Sequence, residues 1–314
     1  MKVVFVIFLI MFLSQIARAA DGVTITPTAN ATTLNLTTTN TNLSLGSIRL
    51  TLSGSSTTPI VYDLKITSQN GGLKNSNAIT KGASVANAII PYTLSWGVVS
   101  GTVDAMYTLT INSTVQQLLI TETDNSGSKS VTGNLQFTRT GTSASSLYSG
   151  TWADVLTVTL VNKKTNATIV KTLNINSSTV QDTITLTVTP AALSSNLPLA
   201  TSQSQSAIGT VSITANCQNG YMLQVASSNA GKLVHNLASG SPGTNEFINY
   251  SLFYQGSQVV TSTTPVTLVT NSTATLLTNS TQIGNLGISY SGIVPSAMRA
   301  GTYQDNLTFT LTSQ

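Results

Sequence analysis

This sequence is short of nearly everything that catalysis and metal binding require. It has one cysteine, one histidine and 9 acidic residues among 314. A single histidine, His235, makes neither a Ser-His-Asp triad nor a zinc site. There is no Gly-rich phosphate loop, and no paired carboxylates that would suit acid–base chemistry. The expectation is a protein that is not an enzyme and takes no cofactor. Only 7% of residues are charged, against about 25% in an ordinary soluble chain. Nucleic-acid binders carry basic clusters, and Lys163-Lys164, the only basic pair, reads as a solvated turn. Nucleic acid is therefore excluded as a partner. With Cys217 alone, no intramolecular disulfide can form, although exported domains usually pair their cysteines. Cys217 reads as a small buried apolar side chain, and the fold must hold by packing.

What is present is Thr, Ser and Asn in alternation with apolar residues. The hydrophobic fraction, 40%, is enough for a core, and the length suits two domains of ordinary size. Residues 1–20 read as a signal peptide. Lys2 opens it, Val3 to Leu13 is apolar, and Ala17-Arg18-Ala19 supplies the small-x-small pattern of a cleavage site. The apolar run is about half the ~20 residues that a membrane span needs. Removing Lys2 and Arg18 takes the formal charge from +4 to about +2. The mature chain is expected to be exported.

The chain is organised around its last stretch. From Tyr303 it alternates strictly, with Tyr303, Leu307, Phe309 and Leu311 on one face and Gln304, Asn306, Thr308 and Thr310 on the other. A period of two with Thr and aromatics marks a strand buried on one side. The same pattern, Gly-Thr-aromatic-x-Asp-x-Leu-Thr-x-Thr-Leu, occurs from Gly150 to Leu160 and from Gly301 to Leu311. It divides the protein into two halves of one plan. Asp21 to Pro27 answers to Asp182 to Pro190, Tyr62 to Gly72 answers to Tyr221 to Gly231, and Tyr92 to Trp96 answers to Tyr250 to Tyr254. Short strands between Gly, Asn and Ser turns, with no helical period, indicate an all-β fold of two tandem β-sandwiches. The domains are expected at 21–175 and 182–314, with 176–181 as linker. After Leu160 the halves part: Asn162 to Asn166 reads as a hairpin leading to a further strand, for which the second half has no counterpart. The second sandwich is thus expected to lack its final strand and to leave an edge open.

The second half resembles the spore coat protein U domain, the pilin-like module of archaic chaperone–usher pilus subunits. Ile208-Gly209-Thr210-Val211, Cys217-Gln218-Asn219-Gly220-Tyr221, Asn249 to Phe253 and the Gly301-Thr302-Tyr303-Gln304-Asp305 ending carry the resemblance. Members usually have disulfide-forming cysteines; this chain has only Cys217. The resemblance implies an immunoglobulin-like sandwich that accepts a strand first from a periplasmic chaperone and then from an adjacent pilin subunit at an outer-membrane usher. Tyr303, Leu307, Phe309 and Leu311 are then the strand-pairing residues. The first half carries no surplus length before its first strand, so the chain is expected to lack a donor strand of its own. That implies a tip adhesin, displayed on the cell surface or secreted, with an unidentified surface receptor. Rival expectations are a fibre-body or spore-coat structural protein and a secreted carbohydrate-binding module.

Individual residues complete the reading. Asp154 and Asp305 hold equivalent places and are expected to brace a turn. Tyr303 suits a tyrosine corner, a role Trp152 cannot share. Ile89, Ile90, Val98, Val99 and Met106, apolar among turn signals, are candidate surface-binding loops. Asn-x-Ser/Thr triplets at Asn30, Asn112, Asn166, Asn271 and Asn306 are expected by chance here, and with the bacterial source that the resemblance implies they read as unmodified.

Overall fold

The computed structural model describes residues 21–53, 60–100, 106–109, 116–120, 128–143, 146–238, 241–277 and 281–314. The expected signal peptide lies outside the described residues. Among the described residues, no helix is long and apolar enough to cross a membrane.

The first half comprises β1 (Gly22–Pro27), β2 (Asn40–Ser53), β3 (Ile60–Ser68), β4 (Leu73–Lys74), β5 (Ile89–Ile90), β6 (Thr93–Ser100), β7 (Met106–Leu109), β8 (Gln116–Ile120), β9 (Ser128–Arg139), β10 (Ala153–Asn162) and β11 (Thr168–Asn176). The second comprises β12 (Thr183–Pro190), β13 (Gln203–Cys217), β14 (Tyr221–Ser227), β15 (Lys232–His235), β16 (Phe247–Asn249), β17 (Ser251–Tyr254), β18 (Ser257–Val259), β19 (Val266–Asn271), β20 (Thr275–Leu276), β21 (Gln282–Tyr290), β22 (Tyr303–Gln304) and β23 (Leu307–Ser313). The fold is all-β apart from one-turn helices such as Ser76–Thr80 and Ala192–Ser195, which are too short to write a helical period into the sequence. The chain divides into two compact units. One holds the described residues up to Asn75 with Ala86–Ser143 and Thr151–Thr179; the other holds Ser76–Val85, Ala144–Gly150 and Val180–Gln314.

Every described ladder is antiparallel, and the halves repeat one topology. The first has a sheet in the order β1-β2-β9-β6-β7; the second has β12-β13-β21-β17-β18. Facing it in the first half, β10 lies between β11 on one edge and β3 with β4 on the other. In the second half β23 pairs with β14, and β22 with β15. Apolar residues alternate inward along each strand, as a strand buried on one face requires. Val211, Ile213, Ala215 and Cys217 of β13 meet Tyr221 and Leu223 of β14, with Tyr254 and Leu286 between. Cys217 is a buried free thiol, and burial, then the Asp182 carboxylate, push its pKa from 9.0 to about 11.

One close approach shows how faithfully the plan is copied. Gly46 faces Pro27 across β1 and β2, and Gly209 faces Pro190 across β12 and β13. A Cβ at Gly46 would lie 2.5 Å from the Thr26 carbonyl oxygen, and one at Gly209 would lie 2.6 Å from that of Thr189. Both sit at a bulge in the next pairing, where a side chain would push the strands apart.

Candidate functional site: an open strand edge in the second half

The Asp of the repeated motif braces the entry to the last paired strand. Asp154 is buried. It accepts bonds from Ser68 Oγ, from Tyr92 Oη at 2.5 Å and from the Asn70 backbone N–H at 3.2 Å. Asp305 repeats the arrangement, accepting from Ser227 Oγ at 2.6 Å, Ser228 Oγ at 2.7 Å, Tyr250 Oη at 2.5 Å and the Asn229 N–H at 3.1 Å. Burial first, and then the carboxylate, hold both Tyr92 and Tyr250 protonated well beyond the usual phenol range. These carboxylates are fully engaged in holding two turns and a strand start together. The sequence motif located each Asp, but its tyrosine and serine partners come from distant parts of the chain.

The remaining singled-out residues fall into place around this brace. Tyr303 Oη lies 2.7 Å from the Arg299 carbonyl oxygen and 3.0 Å from that of Asn245, and the two carbonyls share its one proton. His235 is buried: its Nδ1 accepts from the Leu237 N–H at 3.1 Å, and its Nε2 lies 3.0 Å from the Ala300 carbonyl oxygen. These partners select the neutral tautomer protonated at Nε2. Among the described residues no group of three or more His, Cys, Asp or Glu side chains could hold a metal ion. Ile89 and Ile90 form β5, a strand rather than a loop, and Ile90 is buried. Val98 and Val99 lie on β6 and Met106 on β7; their side chains are outside the described residues.

The candidate site is what the second half leaves uncovered. In the first half, β11 runs the length of β10, from Ala153↔Asn176 to Val161↔Thr168. Leu156, Val158 and Leu160 are buried in consequence, as are Leu173 and Ile175 of β11 itself. Leu307, Phe309 and Leu311 stand at the matching positions of β23 and are only half-buried. Among the described residues β23 has a partner on one edge only, β14. The Ser228 N–H donates to the Asn306 carbonyl. By ladder alternation, the N–H and C=O groups of Leu307, Phe309 and Leu311 therefore point to the free edge. On the far side of the gap, Val188 of β12 is 42% exposed.

Between them runs an apolar groove of about 290 Å³. Val188 and Pro190 line it from β12, Ile208 from β13, and Leu307 and Phe309 from β23; Asp305 and Leu197 also line it. The first half pairs Leu173 with Leu156 and Ile175 with Asp154. The groove thus lies against Leu307 and Asp305, the two matching positions.

Comparison with known proteins returns loose likenesses. No family model matches the chain, and no curated protein sequence does. Among solved structures, it is similar to the CupB6 tip adhesin of Pseudomonas aeruginosa, at 12% identity over 94% of both chains with a TM-score of 0.42. It is similar to a variant of CfaE, the CFA/I adhesin of enterotoxigenic E. coli, at 12% identity over 93% of this chain and 81% of that one, with a TM-score of 0.36. A chaperone–tip adhesin complex of CFA/I fimbriae biogenesis matches at 11% identity over 93% and 84%, with a TM-score of 0.30. The open edge beside β23 stands on its own geometry.

Proposed function

We propose that this chain is an exported, non-enzymatic subunit of a surface pilus of the chaperone–usher type, whose second half accepts a β-strand from another polypeptide. The observation that carries the reading is the contrast between β10, covered by β11, and β23, whose equivalent edge is free and flanked by an apolar groove. An incoming strand would satisfy the backbone groups of Leu307, Phe309 and Leu311 and bury apolar side chains in the groove, which is the physics of strand addition. A periplasmic chaperone and then a neighbouring subunit at the usher are the proposed donors. The spore coat protein U resemblance in Gly301 to Asp305 supports this placement.

The pairing of β1 within its own sandwich supports a tip position in this reading. β1 is paired to β2 from Gly22↔Thr51 to Pro27↔Gly46. Asp21 accepts a bond from Tyr62 Oη at 2.8 Å and one from Asn162 Nδ2 at 2.9 Å. The residues from Asp21 onward thus serve their own sandwich. In this reading the first half is the adhesive domain and its receptor is a surface molecule.

The test is a fused strand. Appending a short linker and a strand of alternating apolar residues behind Gln314 should raise stability by ~3–6 kcal/mol, for two newly buried aliphatic side chains at about 1.5–3 kcal/mol each. Thermal unfolding of the full chain, with the fused strand and with a scrambled strand of the same composition, reads the effect. Equal unfolding temperatures for the two fusions and the unfused chain would show the sandwich to be complete, and the acceptor reading would fail.

A further inference from the structure

The groove is lined in part by a segment, through Ser194 and Leu197, whose counterpart in the first half is already closed. Residues 28–39 of the first half and 191–202 of the second follow the Pro27 and Pro190 strands in turn. Both are anchored alike at one point. The Thr142 N–H donates to the Leu36 carbonyl at 3.0 Å, and the Ile293 N–H donates to the Leu199 carbonyl at 2.9 Å. Two residues earlier the halves differ. Leu34 is buried and forms a parallel bridge with Ser177, just beyond β11. Its N–H donates to the Asn176 carbonyl at 3.0 Å, and its carbonyl accepts from the Ser178 N–H at 2.9 Å. Leu197, the matching residue, is half-buried on the groove wall; its N–H has no such partner among the described residues, and its carbonyl accepts only the local Leu199 N–H at 2.9 Å, which leaves its second lone pair for a donor.

A second difference lies under the same segment. In the first half, Arg139 donates from Nη1 to the Leu36 carbonyl at 2.7 Å, so the segment is tied down from below. Tyr290 takes that place in the second half. It is buried, and its hydroxyl has no partner among the described residues.

We propose that residues 191–202 are a strap that closes on the far end of the incoming strand, pairing with it in parallel through the Leu197 backbone while β23 pairs with it antiparallel. This rests on the strand-acceptor reading above and specifies the donor. Counted from β11, the donor runs antiparallel to β23 with a medium-sized aliphatic residue opposite Leu307 and another opposite Asp305. A small residue follows two positions on, where Ser177 stands in the first half. Its peptide groups on either side of that small residue supply the carbonyl and the N–H that Leu197 bonds. A donor that ends at its last buried aliphatic residue fills the groove and leaves the strap open. Recognition thus has two parts, an apolar one along β23 and a main-chain one at the end.

The experiment grafts the first half's own strand onto the second. The full chain is prepared with residues 164–175 or with residues 164–179 copied behind Gln314. Thermal unfolding and amide hydrogen exchange are measured on each. The short graft should raise the unfolding temperature of the second half. The long graft should add about 3 °C or more, for two further main-chain bonds, and should protect the Leu197 amide, which the short graft leaves exchanging. In the long graft, Leu197→Pro, which removes the N–H, should cancel the added rise. Leu197→Ala, which keeps it, should retain part of that rise. If neither graft shifts the transition, the acceptor reading itself fails. If both shift it equally and the Leu197 amide stays unprotected, the groove accepts a strand and the strap does not close on it, which overturns this proposal alone.

Discussion

β10 and β23 are near-copies with different fates. Both carry the Gly-Thr-aromatic-x-Asp motif at their start, both are braced by a carboxylate that accepts from a tyrosine and a serine, and both pair on one edge with the strand that carries Tyr62 or Tyr221. The first is buried at every second residue; the second is half-buried at the same places. The difference is β11. What this teaches is that the inward-facing side chains of such a strand do not secure their own burial. A neighbour on the free edge closes the gap between the sheets, and Leu173 and Ile175 supply the last of the core.

The sharpest way to break the contrast is to make the first half resemble the second. Leu173→Ala combined with Ile175→Ala should cost ~4–10 kcal/mol, at about 2–5 kcal/mol for each buried aliphatic truncation. In denaturant titrations of the full chain the transition of the first half should then fall to or below that of the second. An unchanged first transition would mean that β11 is ornamental.

A finer comparison uses matched single sites. Leu156→Ala, in the covered strand, should cost about 2–5 kcal/mol. Leu307→Ala, half-exposed on the free edge, should cost roughly half as much, since the penalty follows the area removed from water. The gap should close when a strand is fused behind Gln314. Equal costs in the unfused chain would contradict the burial difference described above.

The smallest effect is alkaline. The Cys217 thiol has an ordinary pKa of 9.0 and a folded one of about 11. The folded state therefore holds this proton more tightly than the unfolded one. Its contribution is complete below pH 9 and is lost as pH rises through about 11. Cys217→Ala should remove this part of the loss in pH-dependent unfolding of the second half. The part that belongs to Tyr250, whose pKa is also raised by burial and by Asp305, should remain. An identical alkaline profile in the variant would show the thiol to be better solvated than its burial implies.

Much of this plan was legible in the chain because it is written locally. The period of two from Tyr303 to Leu311, the Gly-Thr-aromatic-x-Asp repeat and the Asn162 to Asn166 hairpin each occupy consecutive residues. So does the mismatch after Leu160, where the first half continues into β11. What was not legible is assembled from afar. Tyr92 and Ser68 reach Asp154 across 62 and 86 residues of chain. Leu34 meets Ser177 with nothing in either neighbourhood to announce it. Ile89 and Ile90 looked like loop because a two-residue strand shows no periodicity. His235 looked incidental, yet its ring ties the Ala300 turn to β15, and a Cβ on Gly301 would lie 2.2 Å from its Nε2.

A chain that holds both a strand and a vacancy of the same shape carries a competitor inside itself. β11 fits the first half and, in the strand-acceptor reading, by the symmetry of the repeat it fits the place beside β23 as well. Order in time separates the two. A polypeptide that leaves a channel N-terminus first has completed β1 to β11 before Thr183 emerges, so β11 is already committed when β23 forms. Refolding from denaturant offers no such sequence. Both halves then collapse together, and β11 of one molecule can enter the vacancy of another.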